Sequence, residues 1–469
     1  MVVAMNLTKL NRAGGIRYLM STVVQGDVKG PVGGLTAYYG AAGTPPGRWL
    51  GSGIGHVGLT EGQPVTEFAA TAVWQFGAHP LTGAGLGEPN VQLTAEAKPP
   101  NPTQVAGYDL TFRVPKSVSV VWATASPQVQ DQIMAIHREA IGETIGWLEQ
   151  EVVRTRSGKG GKIPSLTRGL IAARFDHFDS RDGDPHLHSH VVVSNKIQRD
   201  FDGKWLTLDG KALHASAVSA SELHENLLLD LLHNRLGMHF ATRQKAGTAA
   251  TKAQFLDVVG VPADLIEQMS SRSFQIAKLR EQYLAQWQNQ NPGVLPSRRT
   301  MTLIDERAWR ETRAPKEKVL TPLDELIDRW RNKVVGLGYS PARIQADALG
   351  REQVSIPVSP LLRDPELVYR LSTEILRGAQ VDKPEEAAKH LTVDEVMESA
   401  HRAVAGRLAY DRATWTLGQA RAAAGRLTRT VRVGDVAGRV ELTESITQAA
   451  LARCVQVTPY RYELPAGAD

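Results

Sequence analysis

Apolar positions change period several times along the chain, and each change marks an expected element. The run GYDLTFRVPKSVSVVWA (107–123) alternates up to Pro115 and is more continuously apolar after it. Alternation sends every second side chain to one face of a strand, so this run predicts two strands, or a strand and a helix start. Residues 127–153 switch to a helical period carried by Ile133, Ile136, Ile141, Ile145 and Leu148. A second long helix is expected over 216–240, with Ser221 as N-cap and Gly237 as C-cap. Residues 5–30 predict a strand followed by a helix or turn, and FAATAVWQF (68–76) a short helix. FDHFDS and HSHVVVSN read as a strand pair, and KWLTLDG as a strand and turn. Residues 31–65 are rich in glycine and proline and predict a loop system with tight turns. From about residue 263 the pattern is helical and charged, with breaks at 291–293, 313–318 and 357–360. The plan is α+β: a mixed domain over 1–300 and a helical extension over 301–469.

Composition narrows the class without deciding it. The chain has 469 residues, long enough for two or three domains. It is 42% hydrophobic and 22% charged, as in ordinary water-soluble proteins. A formal net charge of +5 is a mild basic excess, too small to argue for nucleic acid alone. The one cysteine, Cys454, excludes an internal disulfide and any cysteine-based metal site, and it suits a reducing cytoplasm. No apolar run approaches the ~18 residues that a membrane span needs. No G-x-x-x-x-G-K-[ST] occurs, and GKGGKIPS (158–165) lacks the Ser or Thr after its lysine, so an ATP-driven motor is not expected within these residues.

The densest chemistry lies in residues 177–195, HFDSRDGDPHLHSHVVVSN. On a strand, His186, His188 and His190 project from one face ahead of a buried valine run. Two of them can chelate a cation if a third ligand arrives from a neighbouring strand, and His177 is placed to supply it across the turn SRDGDP. Three neutral imidazoles with open positions suit Mn, Ni, Zn or Co, and Mg where substrate phosphate completes the shell. Two alternatives stand beside this one. The histidines could be a solvated strand edge, or Asp176, Asp179, Asp182 and Asp184 could bind the metal or orient the ring N–H groups.

The segment resembles the three-histidine motif of MobF-type conjugative relaxases, the TrwC/TraI-like family of the HUH endonuclease superfamily. In that family a His-x-His pair follows a first histidine after eleven residues. His177, His188 and His190 keep this spacing, which leaves His186 outside the ligand set, and Ser189 stands where threonine is usual. GYDLTFRVPKSVS is similar to a second family motif, whose acid maps onto Asp109. A third likeness lies in TAYYGAAGTPPGRWLGSG, where Tyr38 and Tyr39 precede a W-x-G-x-G stretch. Tyr18, in GGIRYLMS, takes the place of the family's first tyrosine cluster, where a Tyr-Tyr pair is common. Residues 255–276 resemble part of the family's cover over bound DNA, with Met269 in an aromatic's place. Residues 391–427 resemble the connector that precedes a helicase part in longer relatives.

The resemblance implies an HUH core, a mainly antiparallel sheet flanked by helices. It implies a metal-dependent transesterase in which Tyr18, Tyr38 or Tyr39 attacks one phosphodiester at an origin of transfer. The 5′-phosphotyrosyl intermediate would form with help from Asp109 and from a divalent ion on His177, His188 and His190. Mg or Mn is expected first, with Zn, Ni or Co as alternatives. The expected partner is single-stranded DNA at an origin-of-transfer hairpin and nick site. Accessory DNA-binding proteins, a helicase and a type IV secretion coupling protein would join it in a bacterial cytoplasm, with transfer to the recipient attached to DNA. Arg154, Arg156, Lys159, Lys162, Arg168 and Arg174 form the densest basic run, just before the histidine strand, and would neutralise backbone phosphates. Their alternative is a solvated loop. Lys116 is expected either to contact phosphate or to cap the next helix. Two rival functions remain at this level: another HUH enzyme, such as a rolling-circle initiator or transposase, and a catalytically inert DNA-binding protein. The rival enzymes usually place the tyrosine after the histidines.

Overall fold

The computed structural model describes residues 4–13, 16–20, 45–87, 92–93, 101, 103–180, 182–243, 255–312, 321–353, 355, 368 and 416–452. In chain order the elements are β1 (Met5–Asn11), α1 (Arg17–Met20), β2 (Arg48–Leu50), α2 (Glu67–Thr71), β3 (Val105–Arg113), α3 (Lys116–Thr124) and α4 (Pro127–Glu151). Two short strands, β4 (Thr155–Ser157) and β5 (Ile163–Ser165), form a hairpin. The histidine strands follow, β6 (Ala172–Asp179) and β7 (Pro185–Ser194), then a second hairpin of β8 (Lys196–Gln198) and β9 (Trp205–Thr207). The long helix α5 (Gly210–Leu236) leads to β10 (Phe240–Arg243) and β11 (Phe255–Val258). The remaining helices are α6 (Ala263–Gln268), α7 (Ser271–Gln290), α8 (Arg298–Glu311), α9 (Leu323–Gly336), α10 (Pro341–Ala348), α11 (Leu417–Leu427) and α12 (Val436–Leu451).

One antiparallel sheet of five strands, in the order β1-β3-β7-β6-β2, organises the core. Pairing of β3 with β7 sets Leu110 opposite Val191 and Asp109 opposite Val192. Alternation then gives the sheet two unlike faces. One face carries Leu110, Phe112, Ala172, Phe178, Leu187, Val191 and Val193 into a cluster with Val118 and Val121 of α3, Ile133, Ile141 and Leu148 of α4, and Leu227 and Leu228 of α5. Each Val, Leu, Ile or Phe among them, fully buried, contributes roughly 1.5–3 kcal/mol. Trp330 of α9 and Ile344 of α10 belong to the same cluster. The other face carries Ala173, Phe175 and Val192 against Ile16, Leu19, Trp49 and Trp74, with the two indoles stacked 5.4 Å apart. Gly107, which opens the GYDLTF motif, has a packing reason. A Cβ there would lie 2.1 Å from the Val193 carbonyl oxygen.

The run 107–123 folds as a strand and a helix, and 127–153 as α4. Helix α5 starts earlier than the pattern suggests. Its N-cap is Asp209, whose carboxylate accepts N–H bonds from Lys211 (3.1 Å) and Ala212 (3.4 Å). Ser221 lies inside the helix, where its hydroxyl accepts the Met5 N–H at 3.0 Å and ties β1 to α5. The mixed first turns hide the true start, because an aspartate with free N–H groups above it is as good a cap as a serine. Gly237 closes the helix as expected, at φ 62°. Helix α11 packs along α5, and α12 packs on both. Buried Arg439 of α12 donates to both carboxylate oxygens of Asp230 of α5, at 2.7 and 2.9 Å.

Candidate metal centre and active site

Strand pairing brings the histidines together. His177 on β6 is directly opposite His188 on β7, and His190 is opposite Thr111 of β3 on its other side. The three rings lie 5.1–5.3 Å apart, centroid to centroid. One nitrogen from each of His177, His188 and His190 falls within 4.8 Å of the other two, the only such group among the described residues. The spacing of these donors suits one divalent cation with open coordination positions.

Hydrogen bonds fix how two of the rings present themselves. His188 Nδ1 lies 2.8 Å from the His186 carbonyl oxygen. A carbonyl only accepts, so Nδ1 carries the proton and Nε2 keeps its lone pair. His190 Nδ1 donates in the same way to the Asp109 carboxylate, 2.8 and 2.9 Å from its two oxygens. Thr111 donates from its hydroxyl to Asp109 (3.3 Å) and lies 3.2 Å from the same ring nitrogen. Metal-bound histidines are usually oriented by such partners, which also raise the basicity of the free nitrogen. Burial, followed by the neighbouring His190, pushes His188 down to about 3, so its ring is neutral at neutral pH.

His186 stands apart. The β6–β7 register slips between His177 and Asp179, and the extra residue falls on β7 near His186. Its ring stacks on His188 with centroids 4.8 Å apart, outside the three-nitrogen cluster. Burial, His188 and the cations Lys116 and Arg113 push its pKa well below the ordinary value. Two of the candidate acids point elsewhere. Asp176 lies on the opposite sheet face, hydrogen-bonded to Ser189 and paired with Arg138 and Arg174. Burial alone would raise its carboxyl, but the two guanidiniums outweigh that and hold it well below the usual range. Asp184 accepts from the backbone and hydroxyl of Ser271 and pairs with Lys333.

Lys116 opens α3, and its Nζ donates to the Pro185 carbonyl at 2.6 Å, at the start of the histidine strand. Burial lowers it to about 8, against the pull of Asp184. Tyr18 is placed by its backbone in α1. Leu19 of that helix and Ile16 just before it are buried with Phe175 and Val192, on the sheet face that bears the histidines. Tyr38 and Tyr39 lie outside the described residues. The basic run divides. Arg156 pairs with Asp209, Arg168 with Asp200 and Arg174 with Asp176, while Arg154 donates to the carbonyls of Val153 and Gln150. Lys159 and Lys162 are exposed on the β4–β5 hairpin. Trp49 and Trp122 are fully buried in the core, stacked on Trp74 and Phe178. Sequence reasoning missed Thr111, although its place two residues after Asp109 puts it on the same strand face. It also missed His137 and Arg138, which approach Ser189 and Asp176 from α4 and leave no local signature.

Residues 12–337, more than half of the chain, match the family model described as TrwC relaxase. The chain belongs to the TrwC relaxase family. Among curated proteins, the chain is similar to the multifunctional conjugation protein TraI of Escherichia coli, 31% identical over 169 residues, 36% of this chain and 9% of that protein. TraI of E. coli strain K12 is 37% identical over 103 residues, 22% of this chain and 6% of that one. Among solved structures, copper-bound TrwC in complex with oriT DNA has a TM-score of 0.52 at 21% identity, covering 72% of this chain and 99% of its own. TrwC complexed with a 27-mer DNA comprising the recognition hairpin and the cleavage site gives 0.51 at 22% identity, with the same coverage. The shared fold is a mixed one, with helices around an antiparallel sheet. Among the described residues no helix is long and apolar enough to cross a membrane.

Proposed function

We propose that this member of the TrwC relaxase family is a conjugative relaxase that nicks single-stranded DNA at an origin of transfer by transesterification onto a tyrosine. The observation that carries the reading is the convergence of His177, His188 and His190, with His190 held by Asp109. The solved TrwC relaxases, described with oriT DNA and in metal-bound form, support it. In this reading the phenol oxygen bonds to phosphorus and the P–O3′ bond breaks. The products are a 5′-phosphotyrosyl enzyme and a free 3′-OH, with the phenol proton passed on to the leaving oxygen.

The chain's own groups have separable tasks. His177, His188 and His190 hold a divalent ion, Mg or Mn first, with Zn, Ni or Co also suited to three imidazoles. When bound, that ion neutralises charge on the non-bridging phosphoryl oxygens. Asp109 holds His190 in the tautomer that leaves Nε2 unprotonated. Tyr18 is the first candidate nucleophile because α1 is anchored on the histidine face, and Tyr38 and Tyr39 are the next. Lys159 and Lys162 supply exposed charge for the DNA backbone. Arg154, Arg156, Arg168 and Arg174 shape the hairpin and sheet edge beside them, and Lys116 braces the start of β7. The relaxase domain is read over residues 1–300, and α9 and α10 of the 301–469 extension pack into the same core. Accessory DNA-binding proteins, a helicase and a secretion coupling protein complete the expected assembly in the cytoplasm, before transfer with the DNA.

The test is covalent capture. The protein is incubated with labelled single strands from an origin region and Mn²⁺ or Mg²⁺, and an SDS-stable adduct is expected. An inert DNA-binding protein would give none with any strand. Tyr18→Phe is expected to lose the adduct. Retention in Tyr18→Phe with loss in Tyr38→Phe would move the nucleophile to the second cluster. His188→Ala is expected to abolish cleavage while DNA binding persists, and retained cleavage would sink the three-histidine assignment.

A further inference from the structure

The sheet has a second polar cluster directly behind the histidines. Asp176 precedes His177, and Ser189 lies between His188 and His190, so both point to the opposite face from the rings. They are cross-strand partners, one step along the ladder from the His177–His188 pair. The Ser189 hydroxyl donates to Asp176 Oδ1 at 2.6 Å. Its single proton is thereby used, so His137 Nε2, at 3.2 Å, is the donor to the serine oxygen. Arg138 of α4 donates to Asp176 Oδ2 at 2.9 Å, and Arg174 lies 3.2 Å from Oδ1. Ser189 and His137 are fully buried and Asp176 nearly so.

A stabilising role alone does not explain this placement. Burying a carboxylate this way is seldom a net gain, and well-packed apolar residues often do as well or better. The cluster sits beside an irregularity of the backbone ladder, because the β6–β7 register slips just after His177. Past that point one further pair, Asp179 with Pro185, continues the ladder in a register shifted by one residue. A charge-assisted bond across the pair just before His177–His188 adds a side-chain tie beside the slip, and α4 anchors it from outside the sheet.

We propose that Ser189, Asp176, Arg138 and His137 are positioning residues: they lock β6 against β7 so that the imidazoles of His177, His188 and His190 keep the spacing a metal ion needs. Ligand geometry must be held to within about 0.5 Å for a site to work. A cross-strand tie one residue from every ligand is the direct way to hold it. The inference rests on the three-histidine metal reading above, and its test separates the two.

Mn²⁺ affinity is measured by calorimetry on the full chain, and site geometry by the visible absorption of bound Co²⁺. Ser189→Ala is expected to weaken Mn²⁺ binding by about 10–100-fold and to change the Co²⁺ spectrum. Ser189→Thr, which keeps the hydroxyl, is expected to restore both. Arg138→Ala, at a partly exposed position, is expected to shift affinity in the same direction by less, and it serves if Ser189→Ala does not fold. Arg439→Ala, in α12 and outside the histidine and Ser189 clusters, lowers stability but should leave the Co²⁺ spectrum unchanged, which separates positioning from general loosening. Wild-type affinity and spectrum in both Ser189→Ala and Arg138→Ala would overturn the proposal while His188→Ala still loses the metal. Full Mn²⁺ binding by His188→Ala would instead overturn the metal reading on which it rests.

Discussion

Replacing Asp109 by asparagine changes one charge and almost no volume, and the structure gives the expected cost. Both carboxylate oxygens lie within hydrogen-bond reach of His190 Nδ1, at 2.8 and 2.9 Å, and Asp109 is 5% exposed. A hydrogen bond to a charged group contributes about 1.5–3 kcal/mol and a neutral one about 0.5–1.5. Asparagine can still accept from Nδ1 through its carbonyl while its amide turns to Thr111. The change therefore costs roughly 1–1.5 kcal/mol of orientation and basicity at His190, close to tenfold in metal affinity. That falls at the lower edge of the 10–100-fold range typical of partners behind metal-bound histidines. The assay is calorimetric titration with Mn²⁺, repeated with Ni²⁺, which binds imidazole sites more tightly and keeps weakened variants measurable. The decisive comparison uses the His190→Ala background. If Asp109 acts through His190, Asp109→Asn should cost less than twofold there. An equal cost in both backgrounds, or no cost in either, refutes the reasoning.

Three further outcomes are expected. Lys159→Ser with Lys162→Ser should flatten the salt dependence of single-strand binding by about 1.4 in the log–log slope, since each phosphate contact contributes roughly 0.7. An unchanged slope would place the DNA elsewhere. Arg439→Ala should destabilise the chain by about 1.5–3 kcal/mol in urea unfolding, because it removes the bidentate bonds to buried Asp230, which keeps Arg432 and the Val433 N–H; a loss under about 0.5 kcal/mol would refute that role for Arg439. Acid should weaken the fold through His224, which burial pushes down to about 4 from 6.5. Its folded pKa is the lower one, so its contribution is complete above pH 6.5 and is lost as pH falls toward 4. The loss amounts to about 3 kcal/mol. His224→Phe should remove that part of the pH dependence, and an unchanged profile would exclude His224 as its source.

Local pattern made much of this protein legible. The alternation around Asp109 and around His186–His190 set the strands and their faces, because a strand's period is two whatever surrounds it. The spacing from His177 to His188, set against a known motif, separated three histidines from the fourth. Gly237 marked the end of α5, because a left-handed cap favours glycine. The start of α5 was not legible. Asp209 and Ser221 are both competent caps, and the choice depended on β1, whose Met5 N–H takes up the Ser221 hydroxyl.

Tertiary structure decided what depends on distant partners. Candidate DNA-binding cations became ion-pair members once Asp209, Asp200 and Asp176 folded beside them. The fit of α12 includes a guanidinium, Arg439, that meets Asp230 more than two hundred residues away in sequence. Asp176 looked like a possible ligand beside His177, but strand parity turned it to the other face, toward Ser189 and Arg138. Sequence determined which residues alternate and which caps are available, since those follow from backbone geometry within a few positions. Only the folded chain could decide which buried charge meets which counter-charge, because a low-dielectric interior makes that pairing obligatory while nothing local specifies the partner.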